Sequence, residues 1–301
     1  MEGKKVVATA LAAAIAVSVS PVNAIDESKN KNVTLGYSED DEDNGVMLMS
    51  NEDVAVKKIS ETDTSITISW TGFNNDKVSY YTAVCNGLES GKISECTYTI
   101  NGLTSGCEYS IAVRAYDEED KLIGSSQTIY EYTDWNVASD TVLTSNKTVA
   151  DLNINGGNLK LNGYTLTVKG NVYLTSSTLY VDQGKLYVSG NFNMSSTNGS
   201  NGNGSLTMNK AEDYICVNGD FLAYSYYVST LTDGIIEVKG NFEQKKAYYG
   251  YSNNFAPSGD HKVILSGERQ QTVSFARMES GFNVLELQNF SEEGVVFSTP
   301  V

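Results

Sequence analysis

The sequence predicts an all-β chain, a β-sandwich followed by a short right-handed parallel β-helix or solenoid, and three observations carry that reading. Residues 54–133 alternate apolar and polar side chains in short runs broken by turns, with no stretch of helical period between them. Beyond residue 140, paired apolar residues recur at Leu159/Leu161, Leu166/Val168, Val172/Leu174, Leu179/Val181, Leu186/Val188 and Phe192/Met194, at offsets of 7, 6, 7, 7 and 6. A phrase of the type LTVKGN (166–171) returns as LYVSGN (186–191), ICVNGD (215–220), IEVKGN (236–241) and VILSGE (263–268), the self-similarity of a stacked repeat.

The first 24 residues stand apart from the fold. Lys4 and Lys5 precede the apolar run VVATALAAAIAVSVS, and the small residues Val22-Asn23-Ala24 close it, the layout of a cleaved secretory signal over 1–24. The run is shorter than a membrane span needs, and no later stretch is apolar enough to be a transmembrane segment after signal removal. The expectation is a secreted, extracellular chain, associated with the cell surface if at all through non-covalent contact. Residues 25–51 read as an acidic flexible tether, in which Glu39, Asp40, Asp41, Glu42 and Asp43 repel one another. That run lacks the spacing of a calcium-binding loop.

Charge narrows the partners. A formal charge of −16, with 21 Lys and Arg and one His, is wrong for nucleic acid, which is bound by neutralising phosphates, and for an anionic membrane. The four cysteines have no histidine at short spacing, so no metal is expected, and no cofactor either. Cys85, Cys96 and Cys107 lie close together, and a disulfide across a hairpin between Cys85 and Cys96 is the first candidate, although spacing does not fix the pairing. Cys216 reads as a small buried hydrophobe.

Seven strands are expected in the first domain, among them SITISW (65–70), VSYYTAV (78–84), CTYTI (96–100) and EYSIAVRAY (108–116). Trp70 ends a strand facing inward, and Tyr109 follows the turn LTSG, where its hydroxyl can bond back to the backbone as a tyrosine corner. With Leu103 and the run INGLTSGCEYSIAVRAYD, these residues make 52–134 resemble a fibronectin type III domain. The resemblance implies a spacer or adhesion module without catalysis. The proline many such domains carry near the start is missing, Cys107 sits in the corner, and no Arg-Gly-Asp is present.

The solenoid is expected over 140–301. A strand of four or five residues plus a corner of two is one side of a coil, and three sides sum to the 20 residues between Gly170 and Gly190. The phrase then returns after 29, 21 and 27 residues, at Gly219, Gly240 and Gly267, and the excess falls in two inserted loops, 196–205 and 247–261. Glycine at each corner would admit a positive φ, and Asn171, Asn191, Asp220 and Asn241 would bond along the stack, as a scaffold and not a working site. The final stretch, TVSFARMESGFNVLELQNFSEEGVVF, is a cap or a wider rung. The phrases LNGYTLTVKGNVYL, LYVDQGKLYVSGNFNM and SGDHKVILSGERQQTVSF resemble a repeat domain of secreted proteins from clostridia-like Gram-positive anaerobes, which implies location and no activity.

No paired carboxylates recur on one predicted face. Glu212 and Asp213 sit at a turn, Asp233 and Glu237 are isolated, and His261 reads as a turn residue without a nucleophile near it. Tyrosine is the stronger hint, in two clusters beside loops: Tyr224, Tyr226 and Tyr227, and then Tyr248, Tyr249 and Tyr251 with Phe255. The expectation is a non-catalytic binding or adhesion protein that recognises polysaccharide, or another surface protein, through exposed tyrosines. The alternatives are a purely structural surface module and a polysaccharide-degrading β-helix enzyme.

Overall fold

The structure is a computed structural model that describes residues 54–195, 202–247 and 254–298. The secretory signal, the acidic tether, most of the 196–205 loop and Tyr248, Tyr249 and Tyr251 lie outside the described residues.

Residues 56–132 form the sandwich. Strands β1 (Val56–Glu61), β2 (Ser65–Trp70) and β5 (Thr97–Asn101) make an antiparallel three-stranded sheet in the order β1-β2-β5. The facing sheet has the order β4-β3-β6-β7, from β3 (Tyr80–Cys85), β4 (Leu88–Glu89), β6 (Glu108–Tyr116) and β7 (Leu122–Ser125), with β8 (Ile129–Tyr132) paired to β6. The alternation puts Ile66, Ile68, Ile111, Val113 and Ala115 wholly inside, and Trp70 packs edge-on against Tyr81 at 5.6 Å. The Thr104 amide donates to Tyr109 Oη at 2.7 Å, which closes the tyrosine corner.

All four cysteines are free thiols, so the expected Cys85–Cys96 bridge is corrected. The hairpin after β3 turns on Asn86-Gly87, both at positive φ, so Cys85 lies opposite Leu88 and not Cys96. Cys96 precedes β5 in the other sheet, against the Tyr81 hydroxyl.

The parallel coil starts three residues after the end of β8, at Trp135. Its three faces are sheets of eight, five and seven strands, and every pairing among them is parallel. Side chains stack in columns because each rung repeats its predecessor in register. On the eight-stranded face the inward column runs Trp135, Leu152, Val172, Phe192, Phe221, Phe242, Val273 and Phe297. Phe192, Phe221 and Phe242 lie ring on ring at 5.0 and 5.2 Å. On the seven-stranded face the column runs Val149, Val168, Val188, Val217, Val238, Leu265 and Leu287. Burying an aliphatic side chain stabilises by about 1.5–3 kcal/mol, so these columns are the main stabilising term. The stretch after residue 271 is a rung: Gln271–Phe275, Val284–Leu287 and Val295–Ser298 continue the parallel ladders.

The corner glycines serve a purpose other than the one expected. Gly170, Gly190, Gly219, Gly240 and Gly267 are not among the residues at positive φ. They are required by close approach: a Cβ on Gly190 would lie 2.7 Å from the Gly170 carbonyl oxygen, and one on Gly240 2.4 Å from that of Gly219. Positive φ is instead used at the opposite end of the seven-stranded face, at Asn162-Gly163, Asp182-Gln183 and Gly234.

Among the described residues no helix is long and apolar enough to cross a membrane.

Candidate functional site

Four of the five stacked glycines, Gly170, Gly190, Gly219 and Gly240, are followed by an Asx residue, and these side chains, with Asp134 and Asp151 before them, form a continuous ladder. The Asp151 amide donates to Asp134 Oδ1 at 3.0 Å, Asn171 to Asp151 at 2.6 Å, Asn191 to Asn171 at 2.9 Å and Asp220 to Asn191 at 2.8 Å. Asn241 then donates to Asp220 at 2.6 Å and Thr272 to Asn241 at 2.8 Å. A corner amide has no strand partner, and the rung below supplies one.

Where this ladder meets the last rungs, the corner opens into a depression of about 570 Å³. Its charged and amide lining is Asn218, Asp220, Lys239, Asn241, Glu268, Arg269 and Gln270. Two carboxylates and two cations therefore converge on an exposed trough running beside the seven- and eight-stranded faces.

Next to it, on the outer side of the seven-stranded face, Glu237 is held at both oxygens. Tyr214 donates to Oε2 at 2.5 Å and Ser266 to Oε1 at 2.6 Å. Burial and the Glu237 carboxylate push the Tyr214 phenol well up, which keeps it a proton donor. Cys216 packs beside them in the outward column between Tyr187 and Glu237, so it is buried by surface neighbours and does not enter the solenoid core. Burial raises its thiol, which disfavours a reactive thiolate. Glu237 thus has both oxygens engaged, and the carboxylates of the trough are the freer pair.

Another of the acidic candidates, Asp213, is structural. Asp213 is buried and accepts the amides of Gln183 at 2.6 Å, Asn209 at 2.8 Å and Lys210 at 3.1 Å, which ties one turn to the rung below. His261 is not a surface turn residue: it is fully buried beside Phe255, and among the described residues neither ring nitrogen has a hydrogen-bond partner. Burial lowers it to about 4, so it is neutral.

Of the tyrosine clusters, Tyr226 and Tyr227 are exposed and meet edge to face at 5.6 Å, and Lys245 lies 5.9 Å over Tyr224. They follow the strand Phe221–Ala223 and so occupy a different corner from the trough. Phe255 is corrected outright. It is 0% exposed and seals the core edge-on against Phe242 at 4.8 Å, so it cannot meet a ligand.

A second depression, about 350 Å³, opens between the sandwich sheets and is lined by Ala83, Cys85, Leu88, Tyr98, Ile100 and Tyr109 among others. Its one acid, Glu89, is paired with Arg114, so it offers no converging charges. Among the described residues no group of three or more His, Cys, Asp or Glu is arranged to hold a metal ion.

Sandwich and solenoid together define an all-β protein with a fibronectin type III domain ahead of a right-handed β-helix. The fibronectin type III domain family matches residues 52–131. Among curated proteins none matches the chain. Solved structures that it resembles include a family 28 exopolygalacturonase of Yersinia enterocolitica, at 9% identity over 83% of this chain and 86% of that one, with a TM-score of 0.26. The pectate lyase PelI of Erwinia chrysanthemi, in complex with tetragalacturonic acid, matches at 9% identity over 81% of this chain and 99% of its own, with a TM-score of 0.22. The pectate lyase Pel3 of Pectobacterium carotovorum matches at 9% identity over 78% and 89%, with a TM-score of 0.23. All three are enzymes, which corrects the expectation of a non-catalytic adhesion protein that is not an enzyme. At these TM-scores the likeness assigns no residue a role.

Proposed function

We propose that the chain is a secreted protein whose solenoid cleaves glycosidic bonds of a polysaccharide in the trough beside Asp220 and Glu268. The carrying observation is the charge at Asp220. Asn171, Asn191 and Asn241 do the work of the ladder with a neutral amide oxygen. Asp220 does the same with Oδ1 alone, so its charge is surplus to the scaffold, and unlike Asp134 and Asp151, the ladder's other carboxylates, it sits in the trough that Glu268 also lines. Two carboxyl groups on one sugar are what glycosidic cleavage needs, one to protonate the leaving oxygen and one to act as base or nucleophile. Lys239 and Arg269 suit a sugar that carries carboxylates, since guanidinium binds carboxylate through paired hydrogen bonds. The signal-like segment 1–24 and the resemblance of 150–298 to repeat domains of secreted Gram-positive proteins support export.

The test is to incubate the purified chain with neutral and uronate-bearing polysaccharides, oligogalacturonate among them, and to follow new reducing ends and unsaturated products. Wild type is expected to release one or the other. Asp220→Asn and Glu268→Gln should each lower release by roughly 100-fold or more, with Asp220→Asn leaving the melting temperature unchanged because the ladder bond survives. No product from any polymer, or release undiminished in both variants, overturns the reading.

A further inference from the structure

The two ends of the solenoid are treated differently. At the first rung the sandwich covers the end: the Asn136 amide donates to Ser105 Oγ at 3.1 Å, the Asn136 side chain donates to Asp63 at 2.8 Å, and Lys147 donates to the Gly106 carbonyl at 2.5 Å while lying over the Trp135 ring. At the last rung nothing among the described residues covers the columns. Phe297 and Leu287 are the final members of the two inward columns, yet they are 53% and 54% exposed, where the preceding members Val273 and Leu265 are buried. Phe290, at the corner between them, is 92% exposed. The strands Val284–Leu287 and Val295–Ser298 are the outermost of their sheets, each paired on one side alone.

We propose that this end is the interface of a two-fold dimer of the chain, in which the last rung of one copy stacks on the last rung of the other. A half-finished inward column is completed only by a surface with the same cross-section. A rung of 20 or more residues matches the roughly 20–30 residues a side of a standard stable interface. The sandwich blocks the opposite end, which prevents head-to-tail stacking and leaves last rung on last rung as the closed arrangement. A two-fold axis across the solenoid pairs an edge strand antiparallel with its own mate. Val295–Ser298 is the strand suited to this, because VVFS carries no charge and a pairing centred on Val296 sets Val295 opposite Phe297 of the mate, an aromatic and β-branched pair on the inward face. The same pairing of Val284–Leu287 would set Glu286 against apolar neighbours. Glu286 is paired with Lys262 at 2.9 Å, and the remaining rim acids Glu279, Glu292 and Glu293 outnumber Arg277, so salt should strengthen the association by screening like charges.

Sedimentation equilibrium of the full chain over a concentration series should give twice the chain mass, with dissociation favoured at low salt. Phe297→Asp and Leu287→Asp should each shift the dissociation constant at least tenfold towards monomer, with the circular dichroism spectrum unchanged because both positions are already half-exposed. A wild-type mass of one chain at every concentration overturns the proposal without reference to any variant. Open-ended polymers, or dimers that persist in both variants, overturn it as well. Neither Leu287 nor Phe297 lines the trough, so these two variants test the interface without altering the residues of the glycosidic site.

Discussion

Gly106 and Trp135 meet so closely that a Cβ on the glycine would lie 2.8 Å from the indole ring. Gly106 also has φ +66, and its amide donates to the Asp134 carbonyl at 2.9 Å. One residue thus joins the tyrosine-corner turn of the sandwich to the first aromatic of the solenoid column. Gly106→Ala must adopt a left-handed backbone and push the indole aside, at a cost of roughly 1–3 kcal/mol. Thermal unfolding should show the loss. If the junction couples the two parts, wild type melts in one transition and the variant separates into two. A single unshifted transition in the variant would remove Gly106 from the coupling.

The stacked corners make a graded pair of tests. Asn191→Ala removes the acceptor of the Asp220 amide at an exposed corner, and the lost bond should cost about 1 kcal/mol. Gly190→Ala puts a Cβ 2.7 Å from the Gly170 carbonyl oxygen and 2.5 Å from Asn171 Oδ1, so adjacent rungs must separate. Overpacking of that kind should cost about 2 kcal/mol or more. Denaturant midpoints should therefore fall further for Gly190→Ala than for Asn191→Ala, and the reverse order would return the glycine to a purely conformational role.

The period of the solenoid was legible because its cause is local: an inward residue at every second position and a corner after every four or five leave a pattern in the text. What the pattern repeats for was less legible. The glycine in LTVKGN marks a turn in either account, and only the distance between rungs separates close approach from positive φ. Phe255 was misread because its partners Phe221 and Phe242 lie 34 and 13 residues away, and an aromatic in an inserted loop gives no periodic sign of facing inward. The Cys85–Cys96 pairing failed against a signal that was present, since Asn86-Gly87 is the dipeptide of a two-residue hairpin and sends the chain back before Cys96. Asp220 could have been singled out as the charged residue among the four that follow a repeat glycine, the others being Asn171, Asn191 and Asn241.

Asp213 tests whether a buried carboxylate can be purely structural. Burial raises it while the three amides that donate to it act the other way. Asp213→Ala would leave the amides of Gln183, Asn209 and Lys210 without their acceptor, and the loss should be about 3 kcal/mol or more. Calorimetry would register it, with product release from the trough reduced only as far as the folded fraction falls. An activity loss in fully folded Asp213→Asn would instead give Asp213 a chemical role.

His261 sets an acid limit on stability. The ring is buried against Phe255, both nitrogens lack partners among the described residues, and the charge that favours protonation, Asp233, is outweighed by desolvation. The group is held at about 4 in the folded chain against 6.5 when unfolded. Between those values the unfolded chain binds the proton and the folded chain does not, so stability is complete above pH 6.5 and falls as pH drops towards 4. The whole difference is roughly 3 kcal/mol. Carboxylates also titrate in this range, so the discriminating measurement is a difference. His261→Leu removes the titration together with two unsatisfied nitrogens, and its unfolding free energy should fall less steeply than that of wild type between pH 6.5 and 4. At neutral pH the variant should be no less stable, because a neutral ring with no hydrogen bonds is replaced by an apolar side chain that needs none. Parallel pH profiles for the two proteins would show that the ring finds a partner or water that the buried geometry does not reveal.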